Sequence, residues 1–197
     1  VQNPRATNDD LTAKARIRNA ALDLYAQYGE DRVSLRAIAA EAGVTLGLVQ
    51  HHFKTKAGLR QAVDELVAEY FWQAVAGVDN QEGPAAAATA RREAVQRMLA
   101  ENPPVLNYIR REAFELEKNE PIPLLDVLID NVRREVTELR GSGVASTERH
   151  ESKQAIDVLV RLMGELFLQP LVDAAWQRLP HGDDDPTPRV SVTIKDN

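Results

Sequence analysis

Gln50 and His51 are neighbouring polar side chains inside an otherwise apolar stretch, LGLVQHHF. A glutamine amide offers one donor and one acceptor, which match N7 and N6 of adenine as a bidentate pair in the DNA major groove. His51 can read a base edge beside it. Ser34 and Thr45 each precede a short helical pattern, where a hydroxyl caps the first free backbone N–H groups. A helix start capped in this way also receives a phosphate. Arg36 lies exposed at the start of the first of these helices. Leu46 and Gly47 can approach a thymine methyl or the sugar-phosphate chain; otherwise Leu46 is an apolar residue left facing solvent. The chemistry is recognition of a duplex, not the making of bonds.

Other chemistries find little support. Adjacent helical residues diverge by about 100°, so His51 and His52 do not share a metal, and no ligand lies four residues away. His181 followed by Asp183, Asp184 and Asp185 reads as a solvated acidic tail. There is no cysteine nucleophile, HExxH pair or glycine-rich phosphate loop. No enzyme activity, metal or cofactor is expected.

Those polar residues need a rigid mount, and Leu35 to Leu59 supplies it. Leu35, Ile38, Ala39 and Ala42 recur at helical spacing. Gly43 ends that helix by taking the left-handed conformation that a Cβ disfavours. Val44 fills the corner, and Thr45 starts a second helix reaching Phe53. Leu48, Val49 and Phe53 form its apolar side; Thr45, Gly47, Gln50 and His51 form the other. Two helices at a tight turn, the second presented to the groove, make a helix-turn-helix.

The residues from about Ala15 to Val67 resemble the tetracycline-repressor (TetR) family of bacterial transcriptional regulators. The shared pattern comprises Ile17, Ala20, Ala21, Leu24, Tyr25 and Gly29, then Ser34, Ile38-Ala39, Ala42-Gly43-Val44, Thr45 and Gly47, then His51, His52, Phe53, Thr55, Lys56 and Leu59. Gln50 stands where the family usually has Tyr, and Leu46 where Lys or a small polar residue is common. The resemblance implies phosphate contacts at Lys54 and Lys56. It also implies a body that binds a small molecule and thereby shifts the heads out of register with DNA. Within such a body Tyr70, Phe71, Tyr108, Phe114 and Phe167 are the candidate lining of an effector cavity, against the plainer reading of each as core.

The net charge of -6 is unusual for a DNA binder, but it is unevenly distributed. Residues 1–56 hold eight Lys/Arg and six Asp/Glu, a balance of +2; residues 57–197 hold sixteen and twenty-four, a balance of -8. The candidate reading head is the basic part of an acidic chain, and the acidic remainder repels DNA. No apolar run approaches the roughly 18–20 residues of a membrane span. The opening VQNPRATNDD is polar, without a signal-peptide core. A cytoplasmic protein is expected, with no membrane partner.

The expected architecture is all-α: an amino-terminal three-helix DNA-binding head plus a larger helical ligand-binding and dimerisation body. Residues 1–10 read as a flexible arm, 11–55 as the head, 56–178 as the body and 179–197 as a flexible tail. Tyr28 is placed on the inward stripe of helix 1. The last helix is expected over about Glu148 to Arg178, kinked or split by Pro170. Its apolar character nearly all round asks for cover, and a two-fold seam supplies it. Leu159, Met163, Leu166 and Leu171 are the candidate dimer contacts. Val190, Val192 and Ile194 alternate as in a strand, but no other strand offers itself, so the tail is expected to be disordered or loosely docked.

The expected partners are a palindromic double-stranded DNA operator, a second copy in a homodimer, and an unidentified small-molecule effector. The reading is a transcriptional regulator, a repressor released by that effector. The alternative is an interaction protein that keeps the fold with weak or lost specific DNA binding.

Overall fold

A computed structural model describes residues 12–78, 83–114, 123–182 and 185–195. Its helices are α1 (Ala13–Tyr28), α2 (Leu35–Glu41), α3 (Leu46–Phe53), α4 (Lys56–Ala76), α5 (Pro84–Glu101), α6 (Pro103–Phe114), α7 (Pro123–Gly141) and α8 (Glu151–Trp176), with a 3-10 turn at Glu30–Arg32. No strand occurs among the described residues, and no helix among them is long and apolar enough to cross a membrane. The all-α expectation holds. The arm expected over residues 1–10 lies outside the described residues.

The chain divides into two compact units, Val1–Val127 and Leu128–Asn197. In the first, α1 packs on α2, α4 and α6, and α5 packs on α4 and α6. Ile17, Ala21, Leu22 and Tyr25 of α1 are fully buried, as are Leu59, Val63, Leu66 and Val67 of α4 and Val105 of α6. The start of α4 coincides with the head–body boundary expected from sequence, yet packing does not stop there. Helix α6 reaches α1 directly, so the head and α4–α6 share one core.

The inward stripe of α1 differs in two places from its expected form. Tyr28 is 49% exposed, while Leu22 is buried and Leu24 only half-buried. Helix α1 ends at Tyr28, capped by Gly29 with φ +83°; Tyr25 and Ala26 of its last turn are buried while Tyr28 faces outward.

In the second unit, α7 and α8 are joined by a loop centred on Arg140. Its Nη1 donates to Arg149 O at 2.7 Å and to Gln154 Oε1 at 2.9 Å. Helix α8 runs unbroken through Pro170, so of the expected kink or split the split does not occur. A proline ring removes one backbone donor and crowds one carbonyl, which a helix of 26 residues absorbs with its remaining bonds. Nor is α8 sealed within the chain: Ile156, Val158, Leu168 and Leu171 are exposed, and of its residues only Ala155 and Glu165 are buried. The tail is not free of this unit. Residues Pro188 to Ile194 lie along α8, held by Gln169 and Asp157.

Candidate nucleic-acid interface

Three hydroxyl caps and two tight corners fix the reading elements. Ser34 Oγ accepts from Ala37 N at 3.2 Å, Thr45 Oγ1 from Leu48 N at 3.3 Å and Thr55 Oγ1 from Gly58 N at 3.0 Å. Each satisfies one of the donors left free at a helix start. Ser34 and Thr45 therefore act as the caps their positions suggest.

The first corner follows α2. Val44 N donates to Ala39 O at 2.9 Å and Gly43 N to Ala40 O at 3.2 Å. With Gly43 at φ +63°, this is the paired closure of a helix end that a left-handed glycine permits. It turns the chain within four residues and starts α3 at Leu46.

The second corner follows α3 and was not foreseen from sequence. Lys54 has φ 63° and ψ -58°, and Thr55 N donates to Phe53 O at 2.7 Å. That is a γ-turn of positive φ, a rare and strained conformation. Immediately beyond it Gly58 faces Phe53 O so closely that a Cβ there would collide with that backbone oxygen. A strained residue beside a reading helix costs about 1–3 kcal/mol and marks a place where geometry is held for use. The sequence signal was the Gly58 inside a helix start, a residue with no other local purpose.

The corners give α3 two clean faces. Val49 is 0% and Phe53 6% exposed, and both pack inward. Thr45, Gly47, Gln50, His51 and Lys54 are exposed, and Leu46 is half-buried. Arg36 and Ser34 of the preceding element are exposed as well. His52 is half-buried with its ring against the edge of Phe53, centroids 6.3 Å apart, so it belongs to the mount. Lys14 Nζ lies 5.9 Å from the Phe53 ring centroid on the same mount.

Lys56 departs from its expected position. Its Nζ donates to Glu30 O at 2.6 Å and the residue is half-buried. The ammonium ties α4 to the 3-10 turn instead of extending freely outward. Lys54 remains the exposed cation of the pair.

Of the aromatic candidates for an effector cavity, Tyr70, Phe71 and Tyr108 are buried in the first unit, at 2%, 7% and 1% exposure. Phe167 is half-buried on α8 in the second unit, and the side chain of Phe114 lies outside those described. Tyr108 has a defined polar role. Its Oη donates to Asp64 Oδ1 at 2.6 Å, and its ring stacks with Tyr25 at 6.5 Å between centroids. Asp64 is fully buried. Burial pushes its carboxyl up to about 7; Glu112 and Glu30 add to the rise, and Tyr108 and Arg60 oppose it. Arg60 bridges Glu30 at 2.8 Å and Glu112. Burial disfavours its charge, but the two carboxylates more than offset this and raise its pKa. Among the described residues no group of three or more His, Cys, Asp or Glu is arranged to hold a metal ion.

The family model for bacterial regulatory proteins of the tetR family matches residues 17–63, which cover most of α1, all of α2 and α3 with both corners, and the first turns of α4. Over these residues the head is similar to the tetR-family regulators. Sixty residues are 57% identical to the HTH-type transcriptional regulatory protein RaaS of Mycobacterium tuberculosis (strain ATCC 25618 / H37Rv), covering 30% of this chain and 28% of RaaS. The match thus spans well under half of that relative. Two solved structures extend the fold likeness beyond that segment. A transcriptional regulator from Rhodococcus sp. Rha1 superposes with TM-score 0.65 and 22% identity over 84% of this chain and 87% of that one. The multidrug binding protein EbrR, solved with imidazole, gives TM-score 0.61 and 24% identity over 84% and 87%. At these identities they establish a shared helical fold and nothing further.

Proposed function

We propose that this chain is a DNA-binding transcriptional regulator that reads its operator through α3. The observation that carries the reading is the split of α3 into a buried Val49–Phe53 face and an exposed Gly47–Gln50–His51 face between two rigid corners. In this reading Gln50 and His51 contact base edges, and Leu46 and Gly47 approach a thymine methyl or the sugar-phosphate chain. Ser34, Thr45, Arg36 and Lys54 hold phosphates. Lys56 contributes by bracing α4, with phosphate contact secondary to that bond. The basic head on an acidic chain keeps DNA contact local.

The working form is a homodimer on a palindromic site, since one short helix reads only a half-site. Leu171 is 68% exposed, and Leu159, Met163 and Leu166 are half-buried; these are the proposed seam contacts on α8. The protein acts as a repressor in the cytoplasm, released by a small-molecule effector. The shared fold with a multidrug binding protein supports a ligand-responsive body, with Tyr70, Phe71 and Tyr108 of the first unit as proposed lining.

Selection of bound sequences from random duplexes tests the reading. A palindromic consensus is expected, and Gln50→Ala or His51→Ala should relax it at defined base positions, by about 1–3 kcal/mol of discrimination per lost contact. Binding without sequence preference that vanishes at moderate salt would favour an interaction protein that only retains the fold.

A further inference from the structure

Arg60 ties three elements together. From α4 its Nη1 reaches Glu30 Oε2 in the 3-10 turn at 2.8 Å, and its Nη2 pairs with Glu112 Oε2 on α6. The turn it holds lies between α1 and Ser34, the residue that caps α2. Lys56 Nζ, also from α4, donates to the backbone of that turn at Glu30 O, 2.6 Å away. The placing of Ser34 and Arg36 therefore depends on how firmly Glu30 is held.

Asp64 stands four residues beyond Arg60 on α4, the spacing at which an acid and an arginine on a helix meet. The two side chains hold complementary atoms in reserve. Asp64 Oδ2 is a buried acceptor and Arg60 Nε a buried donor, each without a hydrogen-bond partner among the described residues. While Asp64 is protonated, the Tyr108 hydroxyl serves its Oδ1 at 2.6 Å, and it exerts no pull on Arg60. Once ionised, it competes with Glu30 and Glu112 for the same guanidinium.

Solvation decides which partner yields. The Glu30 side chain is 18% exposed and that of Glu112 7%. Water replaces a lost bond more readily at Glu30, whereas drawing Arg60 from the deeper Glu112 costs more. The groups that face Asp64 are Tyr25 of α1, Glu30 of the 3-10 turn, Arg60 of α4, and Tyr108 and Glu112 of α6. Burial pushes the Tyr25 and Tyr108 hydroxyls above their ordinary range, so both stay neutral. Burial also pushes the Asp64 carboxyl up to about 7, which brings its ionisation to neutral pH.

We propose that Arg60 is a proton-governed latch, closed on Glu30 while Asp64 is protonated and drawn back to Asp64 when that carboxyl ionises, so that the proton regulates duplex binding. The regulatory part rests on the DNA-reading function above. A closed latch sets the turn ahead of α2 and with it Ser34 and Arg36, so less order has to be gained when they meet phosphates. Pairing with Arg60 lowers the Asp64 pKa in the open arrangement. Protons therefore favour the closed one, and affinity falls as pH rises toward about 7 and levels off above it.

The test uses the full chain and the duplex selected from random sequences, at pH 5.5 and pH 8. Any pH dependence of the DNA contacts themselves is common to all variants, so each is compared with the wild type at the same pH. Asp64→Asn cannot ionise; it should match the wild type at pH 5.5 and bind about fivefold more tightly than it at pH 8. Glu30→Gln removes the charge that Arg60 closes on; it should bind about fivefold more weakly than the wild type at pH 5.5 and match it at pH 8. Val33 N donates to Glu30 O at 3.0 Å. Its amide should exchange faster in the wild type than in Asp64→Asn at pH 8, and equally at pH 5.5. Equal Val33 exchange in the two proteins at both pH values would overturn the latch. A pH-dependent difference in exchange with affinity ratios that ignore pH would overturn its control of binding. If random duplexes yield no preferred sequence, the DNA-reading function fails and the control with it, while Val33 exchange still decides the latch.

Discussion

Tyr108 and Asp64 meet across the contact of α6 with α4, the hydroxyl donating to a carboxylate oxygen at 2.6 Å while Asp64 Oδ2 has no partner among the described residues. A fully buried carboxyl with half its acceptors unsatisfied favours its protonated form. Around it, Glu112 and Glu30 raise its pKa and Arg60 lowers it.

Stability should therefore depend on pH through Asp64. Its folded value of about 7 lies above the ordinary 3.8. Between those values the folded state holds a proton that the unfolded state has lost, so stability falls as pH rises through this window. The penalty is fully present above about pH 7 and absent below about pH 4. Its upper bound is about 4 kcal/mol at 1.36 kcal/mol per unit. Urea unfolding at pH 5 and pH 8 should show a smaller loss for Asp64→Asn than for the wild type. Equal losses in the two proteins would refute an uncharged Asp64 at pH 5.

Arg111 of α6 closes the end of α1. Its Nε donates to Ala26 O at 2.8 Å and an Nη to Gln27 O at 2.6 Å, taking up carbonyls that the helix end leaves open. Arg111→Ala should cost about 1–2 kcal/mol and speed amide exchange in the last turn of α1 and in the following 3-10 turn. Arg111→Lys, with a single donor group in place of the fork, should recover only part of the loss. If exchange there is unchanged in Arg111→Ala, the bonds do not hold the head to α6.

Lys54 separates strain from charge. Lys54→Gly relieves the positive φ and should raise stability by about 1 kcal/mol, while removing a phosphate contact. Lys54→Ala retains the strain and loses the same charge. Both should weaken binding to all duplexes alike and lower the slope of log affinity against log salt by about one. A change in base preference from either variant would assign Lys54 to base reading instead.

Much of the head was legible in the sequence because its determinants are local. Gly43 ends α2, Thr45 caps α3, and the period of Val49 and Phe53 against Gln50 and His51 sets the faces; all operate within about five residues. The long helices were legible for the same reason, although the split expected at Pro170 does not occur. Tertiary packing decided the rest. The turn at Lys54 and the close approach of Gly58 to Phe53 O are as short in range, but only the folded backbone reveals them. Lys56 carries the same charge in either setting, and Glu30 O, 26 residues away, draws it inward. The alternation of Val190, Val192 and Ile194 was visible but had no strand to join; Gly164 and the Gln169 amide of α8 took that place. Asp64 and Tyr108 lie 44 positions apart, and nothing local marks either as buried polar. Short-range caps and periods follow from backbone hydrogen bonding and sterics along the chain, whereas burial of charge and the choice of long-range partners are set by which surfaces the folded chain brings together.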